Sequence, residues 1–427
     1  MSSLHFIRFY FVINFCLSLS VAAQEPTLIL ENARVIIGNG TVLEKGTVVV
    51  SGDRILSVTK EPIISSSANR IDASGKTIMP GLIDAHVHLA IPMVEDIDSF
   101  NVFISDSLPH VLKEFLRHGI TTVRSTGDSW PYIGEVRDQI NQGKLEGPRI
   151  ITSGPVLTYN GGHPATTVCK DNPLCRKLVT RELSSPEEAK SVVKQLAEER
   201  VDFIKFVSDS LIYPVSLPND IEEAVIQQAH KERIHAEAHI AEVSFVERAI
   251  NNGLDGLVHP PKMPISADTA REIGTLLARH HVPYTTTITG YIFFSSPSKE
   301  AFKTEGVRKR EEAISRFRQM NDMGAKMLVG TDWFYPLTKV SPNLGPGAMT
   351  YTEIEHLVGG GFSEVEVIKA ATISSAEALG LVEKIGSLET GKQADILIVD
   401  GNPLENIEAL KETVYVIKDG KVVFSQL

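Results

Sequence analysis

"TIMPGLIDAHVHL" (residues 77–89) runs as an apolar segment through a Pro-Gly pair and ends on two histidines two positions apart. Side chains alternate along an extended backbone, so His86 and His88 project from one face of one strand. Two imidazoles placed this way can chelate a single ion. A His-x-His pair is weak evidence alone, because polar residues collect at strand ends without any ion. Its weight depends on what the rest of the chain brings to the same place.

From Thr77 to Leu379 short β-branched runs alternate with amphipathic helical stretches, the pattern of βα units and a parallel sheet. Seven further strands read as "ITTVRST" (120–126), "RIITSG" (149–154), "VDFIKFV" (201–207), "RIHAEA" (233–238), "LDGLVH" (254–259), "PYTTTI" (283–288) and "KMLVGT" (326–331). Between them lie helical patterns such as "SPEEAKSVVKQLAEER" (185–200) and "SADTAREIGTLLARHH" (266–281), each opened by a serine cap. Eight such pairs predict an α/β fold, a (β/α)8 TIM barrel over residues 77–384. The ends of the chain are turn-punctuated β sequence, and residues 26–76 plus 385–427 are expected to form one small β-sandwich domain beside the barrel.

In such a barrel the active site lies at the C-terminal ends of the strands. Those ends carry His86 and His88, Lys205, His239, His259 and Asp332, so four of the 13 histidines sit there. Imidazoles with a carboxylate suit zinc best. Lys205 stands among Phe203, Ile204, Phe206 and Val207, in a run apolar enough to be buried. A buried ammonium must be paired, neutralised or chemically altered. Glu237 on the next strand is a pairing partner that needs no chemistry.

Composition narrows the partners. With 42% hydrophobic and 22% charged residues, the 427-residue chain is an ordinary globular protein. A formal charge of -11 and no long basic block argue against nucleic acid and anionic membrane surfaces, leaving a small molecule as ligand. Residues 1–23 read as a signal peptide ending Val21-Ala22-Ala23, so the mature protein is expected to be secreted, periplasmic and free of the membrane. A membrane anchor is the alternative, weakened by the short apolar stretch and Asn14. The mature chain keeps Cys169 and Cys175, a candidate disulfide in an oxidising compartment or else two free thiols. Oligomeric state is open.

Beyond "PGLIDAHVHL" (80–89), the motifs "GITTVRSTGD" (119–128), "AHIAE" (238–242), "GLDGLVHP" (253–260), "GTD" (330–332) and "ATISSAEALGLVEKIGSLETGKQADILIVDGNPL" (371–404) resemble the amidohydrolase superfamily of metal-dependent hydrolases. Within it the chain is similar to the imidazolonepropionase-like and Xaa-Pro dipeptidase (prolidase-like) branch. The resemblance implies a barrel with a flanking β domain. It also implies that "DFIKF" (202–206) presents Lys205 for carboxylation by carbon dioxide, the carbamate bridging two Zn2+ ions. His86, His88, Lys205 and Asp332 would then hold one ion, and Lys205, His239 and His259 the other.

The expected reaction is hydrolysis of a C–N amide bond in a small carboxylate-bearing substrate, a dipeptide such as Xaa-Pro or an N-acyl amino acid, by a metal-activated hydroxide. Asp332 would take a proton from the attacking water and return it to the leaving amine. His163 in "YNGGHP" (159–164) is the candidate oxyanion donor, with a solvated loop histidine as the plain alternative. Tyr159, Arg124 and Tyr213 are candidates for binding the substrate, although ion pairing inside the barrel explains an arginine equally well. The long connection around Gly154 to Ser184, with both cysteines, reads as a lid or substrate wall. An alternative enzyme is a one-ion cyclic amidase or deaminase using Glu242, which otherwise reads as a first-turn acid on the next helix. A barrel that only binds a ligand is the non-enzymatic alternative, and the complete set of ligands argues against it.

Overall fold

The computed structural model describes residues 25–209, 215–240, 242–259, 265–294, 299–335, 337 and 344–426. The leader at 1–23 and Tyr213 lie outside the described residues.

Both ends of the chain build one sheet. Leu28–Ile36, Val42–Ser51, Arg54–Thr59, Asn69–Asp72 and Lys76–Pro80 join Ile396–Asp400, Thr413–Lys418 and Lys421–Ser425 in a single eight-stranded array. The seam is antiparallel, with Ile78 opposite Ile398 and Pro80 opposite Ile396. Asp419 and Gly420, at φ 48° and 74°, close the last hairpin, the two-residue turn that matches strand twist. Leu30, Val48, Ile55, Ile78, Ile396 and Ile417 give this sheet a core of its own. The strands of the small β-sandwich domain expected from the turn-rich ends are thus hydrogen-bonded to one another in one continuous array.

The opening segment corrects the reading of the first strand. "TIMPGLIDA" is not one strand: Lys76–Pro80 belongs to the terminal sheet and Leu82–His88 to the parallel layer. Gly81 makes the handover. Its N–H reaches Asp395 O at 2.9 Å, and a Cβ there would sit 2.2 Å from Thr121 Oγ1. Only a residue without a side chain lets the chain pass from one sheet to the other at this spot.

The parallel strands fall into two groups. Trp333–Phe334, Leu82–His88, Ile120–Ser125 and Arg149–Thr152 form one. Thr180–Leu183, Val156–Tyr159, Phe203–Val207, His235–His239, Gly256–Val258, Tyr284–Thr285 and Met327–Leu328 form the other. Backbone bonds run between the groups on both flanks. Asp202 N donates to Thr152 O at 2.8 Å, and Ala85 N to Val329 O at 2.8 Å. Helices pack around them through apolar faces such as Val111, Leu112, Phe115 and Leu116 of Leu108–Arg117. Ser185, Ser266 and Ser363 each accept a backbone N–H at a helix start, as the sequence predicted for the first two.

Arg149 ties the two layers together. Its Nη2 donates to Gln393 Oε1, Asp395 Oδ2 and Asp419 Oδ1 at 2.6, 3.1 and 2.9 Å.

Candidate metal centre

His86 and His88 leave the Leu82–His88 strand on one face, as period two requires, and meet Asp332 from the far end of the barrel sequence. Asp332 Oδ1 lies 3.2 Å from His86 Nε2 and 3.2 Å from His88 Nε2. One ligand atom from each of the three lies within 4.8 Å of the others. Asp332 is placed by its own backbone: its N–H donates to His86 O at 2.8 Å, and φ of 62° turns the side chain back over the strand ends.

His259 arrives by the same device, with φ of 60°. Its Nε2 stands 4.0 Å from Asp332 Oδ2, and its ring centroid is 4.6 Å from those of both His86 and His239. His239 Nε2 lies 3.6 Å from Asp209 Oδ2. Lys205 is 3% exposed, in register with Val156 on one side and Glu237 on the other. Lys205, His88, His239, His259 and Asp332 line one cavity of about 400 Å³.

The ring nitrogens are sorted for ligation. His88 Nδ1 donates to Gly127 O at 2.8 Å, and His259 Nδ1 is held by Thr287 Oγ1 at 2.8 Å, so in each ring Nε2 faces Asp332. The Gly127 carbonyl comes this close because at φ 135° it has no Cβ, which would stand 2.3 Å from Val156 Cγ2. His86 is fully buried, and neither of its nitrogens makes an aligned hydrogen bond to a described residue. A buried polar group in that state marks a missing partner.

Electrostatics agree. Burial alone would raise the Asp332 carboxyl, but the imidazoles of His259, His86 and His88 outweigh it and hold the group well below the usual carboxylate range. Burial pushes His86 well below the ordinary imidazole value, against the pull of Asp332. Burial also acts to lower His88, yet Asp332 first and Asp128 next raise it overall.

A ring of acceptors supports these ligands, and the sequence reading missed it. Asp84 accepts from Thr331 N, Thr331 Oγ1, Thr350 Oγ1 and His86 N, fixing the residues on either side of the cluster. Its burial pushes the carboxyl up to about 7. Asp128 accepts from Leu89 N and Ala90 N just beyond His88. Glu353 takes Thr286 Oγ1, Ile288 N and both Thr289 donors, gripping the chain on each side of Thr287. Asp84 and Asp128 stood inside quoted motifs, and Asp209 closes the run "FIKFVSD" (203–209), so a search for acids near the ligands finds them.

The remaining candidates divide. His163 lines the cavity, its ring 5.3 Å from that of His239 and its Nδ1 2.6 Å from Thr167 Oγ1. Cys169 and Cys175 are bonded to each other, packed with Val179 and Ile91. Asn172 between them donates to Pro92 O and Val94 O, tying this strap to the loop after His88. Tyr159 ends its strand half-buried and is not among the described residues lining the cavity.

Arg124 corrects the expectation that it reaches a substrate. It is 2% exposed, pairs with Glu237 Oε1, and donates to Ala85 O and Thr285 Oγ1. That pairing also engages Glu237, the plain partner considered for Lys205. Glu242 is the N-cap residue of the helix Val243–Asn251, without a side-chain cap bond; it accepts from Ser244 Oγ at 2.7 Å and is not among the described residues lining the cavity.

Residues 77–423 match the Amidohydrolase family. The chain is 25% identical to an ochratoxinase of Aspergillus niger over 434 residues, covering 90% of this chain and 84% of that one. It is 23% identical to an imidazolonepropionase of Alkaliphilus oremlandii over 429 residues, 90% and 91% of the two chains. The crystal structure of a putative prolidase from Bifidobacterium longum superposes with a TM-score of 0.76 at 27% identity, covering 94% and 95%.

Proposed function

The chain belongs to the amidohydrolase family, and from that premise we propose that it cleaves the C–N amide bond of a small substrate, a dipeptide or N-acyl amino acid. The observation that carries the proposal is the meeting of His86, His88 and Asp332 at a cavity that His88 and Asp332 line together with Lys205, His239 and His259. The parallel strands are taken as one closed (β/α)8 barrel, supported by the backbone bonds on both flanks.

The donor set fits divalent ions. Among the described residues the buried nitrogens of His86 have no aligned donor or acceptor, and the Nδ1 atoms of His88 and His259 are already held from behind. His86, His88 and Asp332 would hold one ion and His239 and His259 a second, with Lys205 between them; imidazole and carboxylate favour zinc. Lys205 would serve as a carbamate: its neutral amine adds carbon dioxide, a C–N bond forms and one proton leaves, and the buried cation becomes an anion. When bound, the ions supply Lewis acidity and lower the pKa of a water.

The chain's own groups do the rest. Asp332, kept ionised by the surrounding imidazoles, accepts the proton of the attacking water and passes it to the nitrogen that leaves. His163, with Nδ1 held by Thr167, offers its other nitrogen to the carbonyl oxygen. The leader-like sequence at 1–23 and the Cys169–Cys175 bridge support export to an oxidising compartment.

Metal analysis of the purified protein tests the site. Two ions per chain are expected, and Lys205→Ala is expected to remove one or both. A single ion that survives Lys205→Ala would sink the two-ion reading, and a screen of dipeptides and N-acyl amino acids that yields no cleavage would sink the reaction.

A further inference from the structure

We infer that the substrate carries an aromatic ring, seated between a phenylalanine pair and the disulfide strap; this rests on the amide-hydrolase reading and narrows it. Three observations converge.

The first is the make-up of the cavity. The ionic groups His88, Lys205, His239, His259 and Asp332 share it with Thr126, Thr167 and His163, and apart from Gly127 the rest of its described lining is apolar. At about 400 Å³ it falls within the range of roughly 300–1,000 Å³ that takes drug-sized ligands.

The second is the pair of rings on one wall. Phe294 ends the helix Ile288–Phe294, and Phe334 lies on the short strand beside His88. Their centroids are 5.5 Å apart at an interplanar angle of 22°, so they are stacked. Phe294 is nevertheless 53% exposed, an arrangement that leaves a large apolar face toward the cavity and solvent. Exposed apolar surface at the rim of a cleft marks a binding surface. Offset stacking on such a ring adds to what burial alone contributes.

The third is the opposite material. Ile91, Val168 and Val179 line the same cavity from the strap side, and Val168 is 49% exposed. Among the described lining residues no arginine offers a carboxylate a bidentate partner, since Arg124 is committed to Glu237. The one lysine there is Lys205, already assigned to the ions. A slot with flat aromatic and aliphatic sides selects a planar apolar group.

The test compares four amides: N-benzoylglycine, N-acetylphenylalanine, N-acetylglycine and N-acetylglutamate. At least one aromatic amide should show kcat/KM tenfold or more above N-acetylglycine, expressed mainly in KM. Phe294→Ala and Phe334→Ala should each cut that ratio at least fivefold, and Phe294→Tyr should keep it. A binding readout needs no turnover: by calorimetry, 3-phenylpropanoate should bind at least fivefold more tightly than propanoate, and Phe294→Ala should erase the difference. Equal efficiency on aromatic and aliphatic amides, or ratios unmoved by both alanine variants, overturns the inference while the amide reading stands. Selective binding of the aromatic acid with no cleavage of any amide supports the slot and overturns the reaction.

Discussion

Lys205 and Glu237 sit side by side in register on neighbouring parallel strands, and the interior resolves their two charges in opposite ways. Glu237 meets Arg124 in a pocket bordered by Asp202, Phe203 and His235, where the strands begin. Arg124 is further satisfied by Ala85 O, Thr285 Oγ1 and the face of Phe203, its centroid 5.4 Å away. Lys205 faces the other end, with His239, His259 and Asp332, where three residues hold left-handed backbone: His259, Thr287 and Asp332 at φ 60°, 50° and 62°. For β-branched Thr287 that conformation is a true outlier, the kind retained at functional sites. The floor is closed by side chains; the mouth is arranged for a guest.

The strongest way to break this contrast is at Asp332. Asp332→Asn should lower kcat by roughly 10²–10⁴-fold on any amide cleaved, with far-UV circular dichroism unchanged. A variant within threefold of the parent would remove Asp332 from proton transfer.

Next comes the floor. Glu237→Ala leaves the Arg124 cation buried without its carboxylate partner and should cost about 3–5 kcal/mol in urea unfolding, with the metal content unchanged from the parent. Replacing both as Arg124→Met with Glu237→Leu should recover most of that loss. If Glu237→Ala sheds ions as readily as Lys205→Ala, the floor and the mouth are one unit.

Thr287→Val probes the support behind His259. Loss of the Thr287 hydroxyl should weaken metal affinity roughly 10–100-fold in chelator competition. An unchanged affinity would assign Thr287 to the fold alone.

The smallest effect is one of pH. In metal-free protein His88 titrates above its ordinary value, so its proton contributes stability below about pH 6.5, and that contribution is lost as pH rises through the raised value. An ion must displace this proton. The gain in Tm on adding zinc should therefore be least near pH 6 and grow toward pH 8, by up to about 1.4 kcal/mol of stability per unit. A gain independent of pH would exclude His88 as a ligand.

Much of this was legible because period two is strict. Alternation placed His86 with His88, and the apolar run around Lys205 marked it as buried. Period two does not say toward which end of the strands an inward side chain leans. Arg124 therefore read as a substrate contact, when its partner lay 113 residues away and on the opposite side from the cavity. The Gly81 handover was hidden for a similar reason, since it depends on Thr121 and Asp395, which no local pattern connects to it. Phe294 and Phe334 carry no signal of their own, because an aromatic residue at the end of an element looks the same in sequence whether it is covered or bare.

The shared terminal sheet also imposes an order of assembly. Lys76–Pro80 lies between Leu28–Ile36 and Ile396–Asp400, so one edge of the amino-terminal strands stays bare until residue 396 has been synthesised. Parallel strands with their intervening helices can pair as they emerge, but this seam is among the longest-range contacts in the chain and closes late. A chain ending before Ile396 would present Lys76–Pro80 as an open strand edge, a template for self-association. The last strands serve the first as a stopper, and the protein is safe from its own edge only once it is finished.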